Sequence, residues 1–154
     1  MARVIVITSG KGGVGKTTTT SNIGMALARL GHNTLLVDAD VGLRNLDLLL
    51  GLENRIIYTG LDVLAKTCRL EQALIQDKRQ SKLTFFPLSS NQAKTPITKP
   101  QIEELISLVE EKYEFILIDS PAGIDEGFKT SIAPAKEAIV VVTPEVPSIR
   151  DADK

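Results

Sequence analysis

The run from Val4 to Thr18 (VIVITSGKGGVGKTT) constrains this chain more than any other stretch. It carries an apolar, β-branched segment into a glycine-rich turn and then into a helical pattern. Gly10 to Thr17 fits G-x-x-x-x-G-K-[S/T] and lies between strand and helix, where a phosphate-binding loop must lie. A loop that wraps a polyphosphate aims successive backbone N–H groups inward, which needs positive φ angles and no Cβ in the way. Gly10, Gly12, Gly13 and Gly15 permit that, with Lys11 and Val14 between them. Lys16 then places an ammonium on the β/γ oxygens, and the Thr17 hydroxyl suits Mg²⁺. The helix that follows turns its positive end toward the same anion. The competing interpretation is a glycine-rich turn with a surface lysine, which the regular flanks disfavour.

The rest of the chain continues this alternation. Residues 3–9 read as a buried strand and residues 16–30 as an amphipathic helix with Ile23, Ala26, Leu27 and Leu30 on its core face. Gly31 stops that helix. Residues 33–37 form a second strand, closing a parallel βαβ unit. Short helical pieces follow at about 45–50 and 60–75, broken by Gly51 and Gly60. Residues 83–87 make a third strand, and Ser89 to Pro96 a polar loop. Thr98 and Pro100 open a helix whose inward face is Ile102, Leu105, Ile106 and Val109. Residues 115–119 and 138–143 complete the strands. Strands apolar on both faces, alternating with helices, predict an α/β fold: a mostly parallel sheet covered on both sides, in one domain over residues 1–154.

Composition narrows the function. Eighteen basic and nineteen acidic residues leave a net charge of −1, which gives no broad footprint for nucleic acid. A single cysteine, Cys68, excludes an intramolecular disulfide and suits a reducing compartment. No apolar run approaches the roughly 18–20 residues that span a bilayer. Met1 leads straight into a strand, leaving no room for a signal peptide. At the other end Ser148 and Asp151 read as a capping box for a helix that has under two turns before Lys154. The chain is therefore expected to be the N-terminal part of a longer α/β protein, its sheet open beyond residues 138–143.

Ligands of an open parallel sheet sit at the carboxyl ends of its strands. Asp119 ends one apolar strand, as a Walker B aspartate does. Asp38 and Asp40 follow another; one could support the magnesium shell while the other orients the attacking water. Each could instead be a turn or cap residue. Gly123, behind Pro121, offers a bare amide to a γ-phosphate. Residues 40–47 and 121–125 are thus candidate switches. His32 reads as a helix-end residue, Cys68 as a packing residue, and Glu110, Glu111 and Lys112 as a solvated helix end.

Lys11 to Thr18 resembles the deviant Walker A motif of the MinD/ParA ATPase family, which carries a second lysine near its start. Val37–Asp47 and Phe115–Asp125 resemble that family's switch I and Walker B/switch II. Asp38–Asp47 and Thr143–Val146 are similar to the members that place the division septum. The resemblance runs from residue 2 to residue 154. It implies a P-loop NTPase fold and an ATPase using ATP and Mg²⁺. Lys16 would bind the nucleotide of its own subunit, and Lys11 would reach the partner's phosphates in an ATP-bound homodimer. Thr17 would ligate Mg²⁺ with Asp38 and Asp119 in the outer shell, Thr18 would contact the α-phosphate, and Asp40 would position the water. A MinE-like activator would stimulate slow hydrolysis, and the dimer would recruit a MinC-like division inhibitor. It would do so at the inner face of a cell membrane, or in a plastid at the stroma and inner envelope. The resemblance places both the adenine-recognising residues and a membrane-binding C-terminal amphipathic helix beyond residue 154. A ParA-type DNA-partitioning ATPase is the runner-up, disfavoured by the charge and by residues 38–47. A third possibility is a nucleotide-binding module without turnover. Iron–sulfur relatives need cysteine ligands that Cys68 alone cannot supply.

Overall fold

The structure, a computed structural model, describes residues 2–8, 15–39, 58–88, 97–120 and 137–141. Within them lie β1 (Arg3–Thr8), α1 (Lys16–Arg29), β2 (Thr34–Asp38), α2 (Gly60–Leu64) and α3 (Leu70–Ala73). They are followed by β3 (Ile75–Gln76), β4 (Leu83–Pro87), α4 (Lys99–Val109), β5 (Phe115–Asp119) and β6 (Glu137–Val140). Among the described residues the strands form one sheet in the order β3-β4-β2-β5-β1-β6, parallel except for the β3–β4 pair.

Alternation along each strand assigns side chains to the two layers. Val4, Val6, Leu35, Val37, Phe86, Ile116 and Ile118 pack on one face with Ile102, Leu105, Ile106 and Val109 of α4. Ile5, Ile7, Leu36, Phe85 and Leu117 pack on the other, against Ala28 of α1. Leu36, Leu117 and Ile116 are fully buried, each contributing about 1.5–3 kcal/mol relative to exposure. The expected α/β sandwich, helices on both faces of a mostly parallel sheet, is what forms.

Local signals set the helix ends. Thr98 caps α4: its amide donates to Gln101 Oε1 at 2.8 Å, and Gln101 N donates back to Thr98 Oγ1 at 3.4 Å, with Pro100 in the first turn. At the far end of α1, Gly31 adopts φ 97°; its amide donates to Ala28 O and His32 N donates to Leu27 O. That closes the helix in the manner glycine favours.

Several expectations are corrected. The face of α1 that meets the sheet is Thr20, Gly24 and Ala28, not Ile23, Ala26, Leu27 and Leu30; Ala26 is exposed and Leu30 is 74% exposed. Small residues win because the helix sits tightly on β2: a Cβ at Gly24 would lie 2.5 Å from Leu36 Cδ2. Ile23 and Leu27 are half-buried on its flank. Residues 60–75 are not one broken helical stretch. Gly60 begins α2 rather than ending a helix, behind Thr59, whose amide donates to Asp62 Oδ2 at 2.9 Å. The chain then turns, makes the single turn of α3, and enters β3. Tertiary pairing with β4 overrides helical periodicity there, so residues 83–87 are the fourth strand. Among the described residues the last strand is Glu137–Val140, so the strand expected at 138–143 starts one residue earlier and Val141 lies outside it, while 142–143 lie outside the described residues; β6 is mostly exposed, with β1 as its paired neighbour. Arg3 grips Glu137 through Nε and Nη2 (2.6 and 2.8 Å), an exposed pair worth little energy that aligns β6 on β1. Residues 45–50, Gly51, the loop 89–96, Thr143–Val146 and Ser148–Asp151 lie outside the described residues.

Candidate functional site

Three strands end together at the carboxyl edge of the sheet. The parallel register aligns Ile7 of β1 with Asp119 of β5, and Asp119 with Asp38 of β2. The insertion of β5 between β1 and β2 therefore sets two carboxylates side by side, one residue before β1 ends at Thr8. Both are buried, Asp38 at 3% exposure and Asp119 at 2%. Backbone bonds hold the edge: Ala39 N donates to Asp119 O (3.1 Å) and Leu88 N to Asp38 O (3.2 Å).

Gly15 turns the chain into α1 with φ 84° and ψ 18°, the left-handed region that glycine enters without strain. The next residue, Lys16, is buried and forms an ion pair with Asp119. Thr17 Oγ1 donates to the other oxygen of the same carboxylate at 3.1 Å. Asp119 thus gathers the lysine and the threonine of the loop motif, and Asp38 lies in register beside it. The Lys16–Asp119 pair and the Asp38 carboxylate in register with it share a desolvated place, where a charge is costly without its partner. Thr20 Oγ1 donates to Lys16 O at 2.9 Å, fastening the first turn. The buried Thr8 hydroxyl, at the end of β1, has no hydrogen-bond partner among the described residues. These donors are hard oxygens, the set that suits Mg²⁺ with a polyphosphate completing its coordination. The described residues hold no group of three His, Cys, Asp or Glu that would bind a metal by themselves.

Of the residues singled out by motif, Gly15, Lys16, Thr17, Asp38 and Asp119 come together, and Thr18 lies exposed on the outer side of α1. Gly10, Lys11, Gly12, Gly13, Val14, Asp40 and Gly123 lie outside the described residues, as do both candidate switches in full. One contributor escaped sequence reasoning. Ser120 is fully buried, and both its amide (3.2 Å) and its hydroxyl (2.9 Å) donate to Ile7 O, pinning the exit of β5 to β1. A hydroxyl directly after a strand-ending aspartate was the available signal.

The residues set aside keep structural parts. His32 Nδ1 meets Glu114 Oε2 at 2.7 Å and its ring stands edge-on to Phe115. Cys68 is half-buried, and burial, with Asp62 nearby, pushes its thiol pKa up, away from nucleophile behaviour. Lys112 lies 3.7 Å from Glu71 on the surface.

A family profile described as an AAA domain matches residues 2–152. This chain belongs to the AAA-domain family. The AAA-domain chain is 75% identical over 154 residues to a putative septum site-determining protein MinD of Emiliania huxleyi, covering 100% of this chain and 57% of the relative. It is similar to MinD in a MinC:MinD cell division protein complex from Aquifex aeolicus, with 52% identity and TM-score 0.87 over 99% of this chain and 61% of that one. It is also similar to MinD complexed with Mg-ADP from Pyrococcus horikoshii, with 35% identity and TM-score 0.83 over 98% of this chain and 62% of that one. The MinD resemblance read from three motifs therefore extends along the whole chain, and the fold is that of the P-loop NTPases. The chain spans about 57% of the length of this curated relative. Among the described residues no helix is long and apolar enough to cross a membrane.

Proposed function

We propose that this AAA-domain chain carries the nucleotide-binding part of an ATP-driven dimerisation switch that helps position a division septum. One observation carries the reading: Lys16 and Thr17 of the loop converge on buried Asp119, with Asp38 in register beside it. In the proposed site Lys16 binds the β/γ-phosphates, Thr17 holds Mg²⁺, and Asp38 and Asp119 steady its outer shell. When bound, the ion supplies charge neutralisation on the phosphates. The loop amides of Gly10, Gly12, Gly13, Val14 and Gly15 cradle the phosphates, Thr18 takes the α-phosphate, and Gly123 senses the γ-phosphate. Asp40 orients the attacking water. Lys11 reaches the nucleotide of a second copy, which couples ATP to dimerisation.

The wider role is likewise a proposal, supported by similarity to MinD proteins, one of them in complex with MinC. The ATP dimer recruits a MinC-like inhibitor, and a MinE-like activator speeds a slow hydrolysis. Both act at the inner face of a cell membrane or plastid envelope, and the chain takes no nucleic acid.

Calorimetry with Mg·ATP, run beside light scattering, tests this. Binding accompanied by a doubling of mass is expected; Lys16→Ala abolishes binding, whereas Lys11→Ala binds nucleotide and stays monomeric. A folded wild-type chain that takes no Mg·ATP refutes the nucleotide site. A Lys11→Ala chain that still dimerises with ATP refutes the cross-subunit role.

A further inference from the structure

The flank of α1 turned away from the sheet carries a second feature, which meets the proposed nucleotide site only at Thr18. A groove of about 370 Å³ runs beside the helix, lined by Thr18, Ser21, Asn22, Met25 and Arg29 and closed by Arg79 from the β3–β4 hairpin. The eleven residue-to-residue steps of helix from Thr18 to Arg29 make it about 16 Å long at 1.5 Å per step. Its volume falls at the low end of small-ligand sites.

Its chemistry is cationic. Arg79 is fixed: Nε and Nη2 bond the two oxygens of Asp77 at 3.3 and 3.2 Å, and Asp77 is itself buried and also accepts the Arg79 and Gln80 amides. That clamp uses two of the five guanidinium protons and leaves the Nη1 edge for a ligand. Outside the groove lining, Lys82 Nζ donates to Gly31 O at 3.0 Å, tying the hairpin to the end of α1. Arg29 faces the groove from the last turn of α1. In a chain of net charge −1, this groove has two arginines and no carboxylate among its lining residues. Two guanidinium groups from separate elements match a group with more than two anionic oxygens, and the Asn22 amide adds a neutral donor.

We propose that this groove is a second anion site, taking a small phosphate-bearing ligand between Arg29 and Arg79, apart from the phosphate loop. The ligand's phosphate lies at the arginine end and its body along α1, over Met25.

Pyrophosphate in magnesium-free buffer is the probe, with backbone amide shifts of the ¹⁵N-labelled chain as the readout. Residues 15–17 report the phosphate loop, whereas residues 21–29 and 79 report the groove, so the two sites are read separately in one titration. Saturable shifts across residues 21–29 and at Arg79 are expected. Arg29→Ala weakens that set about tenfold while leaving shifts at 15–17 unchanged, consistent with the loss of one charge-assisted contact. Arg79→Gln does the same, and because Arg29 is exposed and bears no fold contact, its variant isolates binding from folding. Shifts confined to residues 15–17, or groove shifts of unchanged affinity in Arg29→Ala, overturn the proposal.

Discussion

Removing Asp119 is the sharpest test of how the site is held. Lys16 is 9% exposed and Asp119 2% exposed, so neither charge has water to fall back on. Breaking a buried pair by deleting one partner costs about 3–5 kcal/mol, because the other charge stays buried without compensation. The site is asymmetric: Asp38 is also buried and lies in register with Asp119. In Asp119→Asn the amide still accepts a hydrogen bond from the lysine, so the cost falls at the lower end, about 3 kcal/mol. In Lys16→Met the buried Asp119 loses its ammonium with a second buried carboxylate in register beside it, and the cost rises toward about 5 kcal/mol. Urea unfolding followed by circular dichroism measures both; with a slope of about 1–3 kcal/mol per molar, Asp119→Asn lowers the midpoint by about 1 M or more. The double variant completes a cycle, and the coupling energy is expected at about 2–3 kcal/mol. A coupling below about 0.5 kcal/mol would refute the pair as the fastening of the loop. Asp119→Asn costing more than Lys16→Met would refute the added cost assigned to the second buried carboxylate in register with Asp119.

Two further outcomes follow from the packing and the hairpin. Gly24→Ala gains about 1 kcal/mol of helix propensity but places a Cβ 2.5 Å from Leu36 Cδ2 in a fully buried contact, an overpacking worth about 1–3 kcal/mol. A net loss of about 1 kcal/mol in thermal unfolding is expected, recovered in part by Leu36→Val, and a stabilised Gly24→Ala chain contradicts the close approach. Burial pushes the Asp77 carboxyl up, but the Arg79 guanidinium and the Arg79 and Gln80 amides outweigh it and hold the pKa below its ordinary 3.8. A depressed folded pKa means the unfolded chain binds the proton first. The stabilisation is therefore complete above about pH 4 and lost as pH falls through the lower folded value. Asp77→Asn should narrow its stability gap from wild type as the pH drops below 4; a gap that stays constant to pH 2 rules this out.

What was legible in the sequence is local. The Gly31 stop, the Thr98 cap and the strands apolar on both faces each depend on neighbours within a few residues, so they survive translation into structure. The face of α4 was readable for the same reason, since its apolar residues recur at helical spacing. The face of α1 was not, because Gly24 is chosen by Leu36 on another element and no helical periodicity records that contact. β3 was hidden because two residues take their conformation from pairing with β4.

The candidate site divides along the same line. Residue types at strand ends named Lys16, Thr17, Asp38 and Asp119 as its members, since each sits where its own strand or loop must stop. Their meeting was decided by strand order: β5 enters between β1 and β2 from far along the chain and brings Asp119 to Asp38 and Lys16. Ser120 on Ile7 O, and Arg29 opposite Arg79, are products of that assembly too. Side-chain chemistry is written residue by residue, but a parallel sheet buries its strands through long-range pairing, and only that pairing settles which chemistries share a place.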